Sequence, residues 1–324
     1  MRALSELFDS TTLVVPCAVS GGRAGESPIV GSSLSVAPLS APSGSGILRK
    51  AAFPLWLARN AGILRRELRR ADAVHAVVPG DVGTVGMALA LAGRKPLLVR
   101  YCNNWLVTRT VAQRLVKGTM ERFAGGRNVM LATGGGAGPP SRRNPGVTWI
   151  FATGLTERDL QACARPRVRL PGESPRLILV GRQEKGKGTK ILIDSLPHIL
   201  EDFPGATLEI LGDGSARGEL EALATQTGVG GRVKFRGNVA PGAVLRCLQE
   251  ADLFCFPTAS EGFPKVVVEA LACGLPVVTT RVSVLPVLLS RGAGLLLDEL
   301  TPASVAEGVR RCLSQPETYR AMSA

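Results

Sequence analysis

Histidine is nearly missing from this chain of 324 residues. His75 and His198 are the only two, so no histidine metal cluster can form. The seven cysteines, Cys17, Cys102, Cys163, Cys247, Cys255, Cys273 and Cys312, are scattered, odd in number and without a CxxC pair. That pattern fits reduced thiols of a cytosolic protein and gives no zinc site. Aromatics make up only 4% of the residues, which argues against nucleic acid as a partner held by base stacking. Long apolar runs are missing as well. The most apolar window, Ala73 to Ala92, is broken by His75, Pro79, Gly80 and Asp81, and the N-terminus lacks the apolar core of a signal peptide. No internal repeat is visible.

Acidic residues are scarce in one half only. Residues 1–165 carry 21 Lys and Arg against 9 Asp and Glu, while residues 166–324 carry 18 against 17. Most of the net charge of +13 therefore lies in the first half. An Arg-rich half with few aromatics fits an anionic membrane surface or an acidic substrate. Phe53 to Arg70 is basic and helical in pattern. It reads either as a helix lying on an anionic membrane or as an ordinary surface helix with its apolar face on a sheet.

With 45% apolar and 20% charged residues, the chain can bury two cores, and strands alternate with helical patterns throughout. That predicts an α/β fold with parallel sheets in two domains. In the first, strands are expected at Thr11–Val15 (buried), Ala71–Pro79, Pro96–Tyr101, Asn128–Thr133 and Val147–Ala152. Helices are expected at Val82–Ala92 and Arg109–Phe123. Cys17 to Ser45 reads as mostly loop, and its Gly21, Gly22 and Gly25 show no GxGxxG spacing. Gly134 to Gly138 reads as a turn, because Pro139 and Pro140 leave no helix start for a phosphate. His75 is either a core histidine or a ligand-facing one. Cys102 and Asn103 follow a strand end, where such sheets bind ligands. Ala162 to Pro175, with three prolines, reads as the linker between domains at 1–165 and 172–324.

The second half carries the richest motifs. Arg176–Val180 is a strand, followed by Gly181-Arg182-Gln183-Glu184-Lys185-Gly186-Lys187-Gly188 and a helix from Thr189. This nearly matches the GxxxxGK[ST] phosphate loop, but Gly188 stands where a hydroxyl would hold Mg²⁺. The loop instead presents Arg182 and Lys187 to a diphosphate, as charge balance for a leaving nucleotide. Gly212-Asp213-Gly214 makes a tight turn near the same place, and Asn238-Val239 is a candidate floor for a nucleobase. The stretch Cys255 to Thr279 has a strand, a polar loop with Ser260, Glu261 and Gly262, and a helix opened by Pro264. Backbone N–H groups of Gly262, Phe263 and Lys265 at that helix start are expected to form an anion site. Glu261 and Glu269 flank it and are suited to accept hydrogen bonds from sugar hydroxyls. The last expected helix is Val305–Leu313.

Together, GRQEKGKG, LGDG, GNV before a helix and SEGFPKVVVEALACGLPVV resemble the C-terminal domain of GT-B retaining glycosyltransferases of glycosyltransferase family 4, the glycosyl transferases group 1. The resemblance is strong over residues 176–297. ADAVHAVVPGD and VRYCNNW are similar to landmarks of the family's N-terminal domain. It implies two Rossmann-like domains facing across a cleft and a nucleotide-activated hexose, a UDP- or GDP-sugar, as donor, with no further cofactor. It implies that Arg182 and Lys187 hold the diphosphate and Glu269 the ribose. Glu261 with Gly262 and Phe263 would hold the sugar and phosphate, without a metal. Gly181, Gly212, Asp213, Gly214, Asn238, Val239 and Ser260 complete the expected donor site. His75, Cys102 and Asn103 are expected on the acceptor side. The implied acceptor is lipid-linked or a surface glycan, reached from the cytoplasm at the inner face of the plasma membrane. Against the family pattern the chain reads as shortened at both termini. Val77 replaces a second histidine, Cys102 a frequent histidine, and Ser283 to Val287 a GGxPE loop. A weakly active or inactive homologue that binds nucleotide or a partner protein is the alternative.

Overall fold

The computed structural model describes residues 5–17, 30–42, 46–135, 138–151, 153–163, 172 and 174–323. The chain divides into two compact units, Met1–Ala132 with Pro139–Trp149, and Thr133–Gly138 with Ile150–Ala324. The changeover lies near Trp149, earlier than the 162–175 stretch that the prolines indicate. Helix α4 (Glu157–Cys163) belongs to the second unit, where Gln249 Nε2 donates to the Ala162 carbonyl at 3.0 Å and Cys163 enters the core. Residues 164–171 and 173 of the expected linker lie outside the described residues, as do Gly21, Gly22 and Gly25.

The first unit contains strands β1 (Thr11–Pro16) and β2 (Leu34–Leu39), which pair in parallel with each other. The stretch expected to be mostly loop thus contains a strand. Only Ala37 and Leu39 of β2 are buried, and Pro38 removes a ladder donor, so its pattern is that of an edge. β1 is only half-buried, not buried as expected. Helix α1 (Gly46–Arg70) follows, with Trp56 and Leu64 packed against Leu39, Val82, Val85 and Leu89. Its apolar face covers protein, which favours the ordinary surface helix.

Four further strands, β3 (Val74–Val78), β4 (Leu97–Tyr101), β5 (Asn128–Thr133) and β6 (Val147–Ile150), form a sheet in that order. Helices α2 (Asp81–Ala92) and α3 (Val111–Phe123) follow β3 and β4. Met87 and Ala90 of α2 and Val116 and Met120 of α3 close one core with Ala76, Val99 and Met130.

The second unit is a single six-stranded sheet. Its strands are β7 (Arg176–Val180), β8 (Thr207–Leu211), β9 (Val233–Gly237), β10 (Leu253–Phe256), β11 (Val277–Thr280) and β12 (Gly294–Leu297), in the order β12-β11-β10-β7-β8-β9. All neighbours are parallel. β10 and β11 are buried along their whole length, as a parallel sheet with both faces covered requires. One face packs on α5 (Thr189–Asp202), α6 (Arg217–Gln226) and α10 (Pro302–Leu313), through Leu192, Leu196, Leu220 and Val309. The other packs on α7 (Pro241–Glu250) and α8 (Lys265–Ala272), through Leu248, Val267 and Ala270. Each such buried Leu contributes about 1.5–3 kcal/mol. A single turn, α9 (Leu285–Leu288), and an unexpected last helix, α11 (Pro316–Ser323), complete the unit. The buried Tyr319 anchors α11 by donating to the Asp252 carbonyl at 2.9 Å.

The chain moves from β7 outward to β9, then returns to β10 on the other side of β7. This reversal opens a crevice beyond the carboxyl ends of β7 and β10, where doubly wound sheets bind ligands.

Candidate functional site

Two loops leave the sheet at that reversal. The loop after β7 carries Gly181 to Gly188, and the loop after β10 carries Pro257 to Pro264. Their joining accounts for the glycine that spoils the triphosphate-loop pattern. Gly188 caps α5 at φ 86°, and a Cβ there would stand 2.2 Å from the Pro257 carbonyl oxygen. No side chain fits, so the hydroxyl of a Mg²⁺-binding loop is sterically barred. The Gly186 carbonyl accepts from Ala259 N at 3.0 Å and from Thr258 Oγ1 at 3.4 Å, so the loops share hydrogen bonds.

This union brings Lys187 onto Glu261. Lys187 Nζ lies 2.6 Å from Glu261 Oε1, with side chains 20% and 13% exposed, and it also donates to the Ser260 carbonyl at 3.3 Å. Thus the structure brings together three expected site residues, Lys187, Ser260 and Glu261, from positions 73 and 74 apart. Arg182 differs. Its guanidinium is exposed and pairs with Glu184 at 2.9 Å.

The Gly212 loop is welded to the same place by backbone. Gly212 has φ 107°, and a Cβ there would stand 2.1 Å from the Gly181 carbonyl oxygen. Gln183, fully buried, was not singled out as a site residue, yet it joins these loops. Its Nε2 donates to the Gly181 carbonyl at 2.7 Å and its Oε1 accepts from Thr189 Oγ1 at 2.7 Å. Its backbone N–H donates to Asp213, and its carbonyl accepts from Ala216. Asp213 is engaged locally, since Oδ1 accepts from Gly214 N at 2.8 Å and Oδ2 faces Arg217 at 3.4 Å. Asn238 is exposed, and Val239 packs against the α7–α8 core.

The helix start differs from expectation in one respect. Pro264 precedes α8 as its cap, and the Lys265 N–H donates to the Phe263 carbonyl at 3.1 Å. That donor is therefore spent within the chain. The Phe263 ring meets Phe151 edge-on with centroids 5.7 Å apart. A Cβ on Gly135 would strike that Phe151 ring, so the glycine turn serves the packing of the loop after β10. Gly136 and Ala137 lie outside the described residues. Ser283 Oγ donates to the Gly262 carbonyl at 2.8 Å, and the Thr280 hydroxyl donates to Thr258 at 2.6 Å. The Thr279 hydroxyl likewise donates to the Phe256 carbonyl at 2.6 Å, and the two hydroxyls ending the buried strand VVTT are the sequence signal for this bracing, because buried hydroxyls need partners.

Glu269 sits in α8, half-buried, and burial raises its carboxyl above the ordinary glutamate range, opposed by Lys265. A raised acid pKa means that folding favours the protonated form. Its stabilising contribution is complete below the unfolded value of about 4.3 and is lost as pH rises through the folded value. Glu269→Gln is therefore expected to raise the melting temperature at pH 7, with little change at pH 4. Melting curves from pH 4 to 8 check this, and unchanged stability at pH 7 contradicts it.

In the first unit, His75 lies on the exposed face of β3 and is not a core histidine. Although its surface reaches solvent, partial desolvation by its neighbours, and then the charge of Arg100, lowers its pKa. Arg100 Nε donates to Cys102 Sγ at 3.1 Å, which links two expected acceptor-side neighbours. Asn103 turns inward to its own loop, its Oδ1 accepting from Asn104 N at 2.8 Å.

A crevice at the strand-order reversal of a parallel sheet is the ligand-binding place of a doubly wound α/β fold. The sequence model for the Glycosyl transferases group 1 family matches residues 163–324. The chain belongs to that family. A D-inositol 3-phosphate glycosyltransferase of Segniliparus rotundus is 32% identical over 167 residues, covering 50% of this chain and 37% of the relative. One of Corynebacterium kroppenstedtii is 28% identical over 278 residues, covering 82% and 60%. The chain thus spans less than two thirds of the length of these curated relatives. Among solved structures, Anabaena HepE in complex with UDP and glucose aligns at TM-score 0.66 and 20% identity, covering 90% of this chain and 80% of that one. WaaG, a glycosyltransferase involved in lipopolysaccharide biosynthesis, aligns at 0.65 and 17%, covering 92% and 82%. The fold is the α/β GT-B type.

Proposed function

We propose that this chain is a retaining hexosyltransferase that takes its sugar from a nucleoside diphosphate donor. The observation that carries this is the Lys187–Glu261 contact at the sheet reversal. A cation and a carboxylate held 2.6 Å apart suit a ligand that offers phosphate oxygens to one and hydroxyls to the other. UDP-glucose is the first donor to test, because UDP and glucose are the ligands named for the HepE neighbour.

In this reading Lys187 and Arg182 take up the charge that develops on the diphosphate as the sugar–oxygen bond breaks. The exposed Arg182 must leave Glu184 to do so. Glu261, with the backbone of Gly262 and Phe263, orients the hexose, and Glu269 accepts from ribose hydroxyls. Asn238 and Val239 face the base, and Gly181, Gly212 and Gly214 keep the floor low enough for the ligand. The acceptor attacks the face that the diphosphate leaves, and a donor phosphate oxygen takes its proton, so no protein nucleophile is required. With two cations at the leaving group, transfer is proposed to need no divalent metal. His75, Cys102 and Asn103 are assigned to the acceptor side. The acceptor is proposed to be lipid-linked or a surface glycan, reached by peripheral attachment to the cytoplasmic face of the membrane. Among the described residues, no helix is long and apolar enough to cross a membrane.

The test is a panel of UDP, GDP and dTDP in thermal melts, followed by turnover with the matching sugars and EDTA. D-inositol 3-phosphate and a lipid-linked sugar serve as acceptors. UDP at 100 times its Kd is expected to stabilise by about 2.7 kcal/mol. Turnover is expected to survive EDTA and to retain the anomeric configuration. Absence of both binding and turnover overturns the proposal. Stabilisation by UDP without turnover on any acceptor favours the nucleotide-binding homologue.

A further inference from the structure

The first unit carries an apolar corner that nothing in the transfer site uses. Asn104 is buried, and its Oδ1 accepts from the backbone N–H groups of Leu106 and Val107 at 3.0 and 3.2 Å. This turn sends Trp105 inward, where its ring meets Tyr101 edge-on and its Nε1 donates to the Pro140 carbonyl at 2.8 Å. Leu106 and Val107 are left outside, 59% and 53% exposed. The loop is tied to α3, because Lys117 Nζ donates to the Trp105 carbonyl at 3.0 Å. A capping box of Thr110 and Gln113 then fixes the helix start.

Helix α3 has two apolar stripes. Val116 and Met120 face the core. Val111 and Leu115, one turn apart, face solvent at 62% and 67% exposure. A surface helix of a soluble unit carries polar residues there. Four large exposed side chains within ten residues, all from one loop and the helix it abuts, mark an interaction surface rather than scatter.

The stretch of chain that carries this corner is strongly basic. Residues 82–156 hold ten Lys and Arg and a single acid, Glu121. That carboxylate is occupied by Ser141 Oγ at 2.9 Å and faces Arg143 at 3.8 Å. Arg109 and Arg114, interleaved with the apolar residues, are both exposed. An apolar stripe rimmed by arginines complements the headgroup boundary of an anionic bilayer, where aliphatic side chains enter the acyl region and guanidinium groups meet phosphate. We infer that Leu106, Val107, Val111 and Leu115, with Arg109 and Arg114, form the surface by which this protein docks on anionic lipid. The inference rests on the peripheral attachment proposed above and gives it an address on α3 and its preceding loop, in place of the basic helix α1. It also sets the expected acceptor loop, Cys102 and Asn103, immediately before the lipid-facing residues in the chain.

Sedimentation with vesicles of phosphatidylcholine plus phosphatidylglycerol, against phosphatidylcholine alone, tests this on the whole chain. Wild type is expected to bind the anionic vesicles only. The double variant Val111→Ser with Leu115→Ser is expected to lose at least about tenfold in partitioning, because two aliphatic groups no longer enter the bilayer. Arg109→Glu and Arg114→Glu are each expected to weaken binding at least about fivefold, with loss of the salt dependence they carry. All four positions are exposed, so UDP stabilisation and melting temperature should be unchanged. Leu48→Ser with Leu55→Ser on α1, where both leucines are exposed, is the control and should bind as wild type. If the α3 variants sediment like wild type while the α1 control fails, this assignment is wrong and the attachment itself stands. Failure of wild type to bind anionic vesicles overturns both. Conversion of a dimer to a monomer by Val111→Ser with Leu115→Ser, without lipid binding, makes the corner a self-interface and also overturns the assignment.

Discussion

Lys187→Ala is expected to reduce kcat/KM for sugar transfer by about 10²–10³-fold, about 2.7–4 kcal/mol of transition-state stabilisation. The side chain sits between the two loops at the sheet reversal and is mostly enclosed by them. A cation so enclosed acts in a medium less polarisable than water, so in the proposed reaction its attraction for the departing diphosphate is large. Its removal also leaves Glu261, only 13% exposed, without a counter-charge. Breaking a fully buried pair costs about 3–5 kcal/mol, and partial exposure here discounts that to about 1–2 kcal/mol. A loss of activity on its own is therefore ambiguous between chemistry and folding. The double variant Lys187→Ala with Glu261→Gln separates them. It removes the stranded charge, so the melting temperature should recover toward wild type while transfer stays low. Recovery of transfer together with stability would mean that Lys187 serves only to neutralise Glu261. Steady-state kinetics with UDP-glucose and melting curves on the three proteins read both outcomes.

Much of this site was legible because it is written locally. The strands Asn128–Thr133 and Arg176–Val180 and the helix that starts at Thr189 stand where apolar runs and glycines place them. Glycines 181, 186, 188, 212 and 214 mark the turns, since each lies where chain direction changes after a strand. β2 escaped because Ser35 and Pro38 interrupt it and only two of its side chains reach a core. Helix α11 escaped because what anchors it is distant in sequence: Tyr319 is buried in the core under the sheet, Met322 packs beside it, and the Tyr319 hydroxyl donates to the Asp252 carbonyl 67 residues away. The Lys187–Glu261 contact was not legible as a pair either. It exists because β10 returns to the side of β7, and such a neighbour relation is a property of topology, not of any window of sequence. Gln183 is the sharpest case. A glutamine in a glycine-rich polar loop looks solvated, yet it is fully buried and spans two loops. Conversely, the expected Lys265 N–H donor fails for a local reason, since Pro264 lets the chain close a tight turn back to Phe263.

The second large effect concerns two glycines in one loop. Gly186 and Gly188 have nearly equal φ, 85° and 86°, so an alanine at either is strained to about 1–2 kcal/mol. Their surroundings differ. A Cβ on Gly186 meets nothing within 4 Å, whereas one on Gly188 meets the Pro257 carbonyl oxygen at 2.2 Å. The obstructing atom is backbone, held by a strand behind it and by the Thr258 and Ala259 hydrogen bonds to Gly186 ahead of it. It cannot swing aside as a side chain would. Gly188→Ala is therefore expected to cost about 3–4 kcal/mol in all, with overpacking added to backbone strain. At about 2–4 °C per kcal/mol for a unit of this size, that lowers the melting temperature by about 6–16 °C, against about 2–8 °C for Gly186→Ala. Any relaxation must part the two loops, and parting them separates Lys187 from Glu261. UDP stabilisation should thus fall in Gly188→Ala and persist in Gly186→Ala. Gly188→Ser completes the triphosphate-loop pattern in sequence, but its Cβ meets the same oxygen. It should lose stability like the alanine and acquire no Mg²⁺-dependent ATP hydrolysis. Equal melting temperatures for the 186 and 188 variants would show that the loops do not approach as closely as the geometry requires.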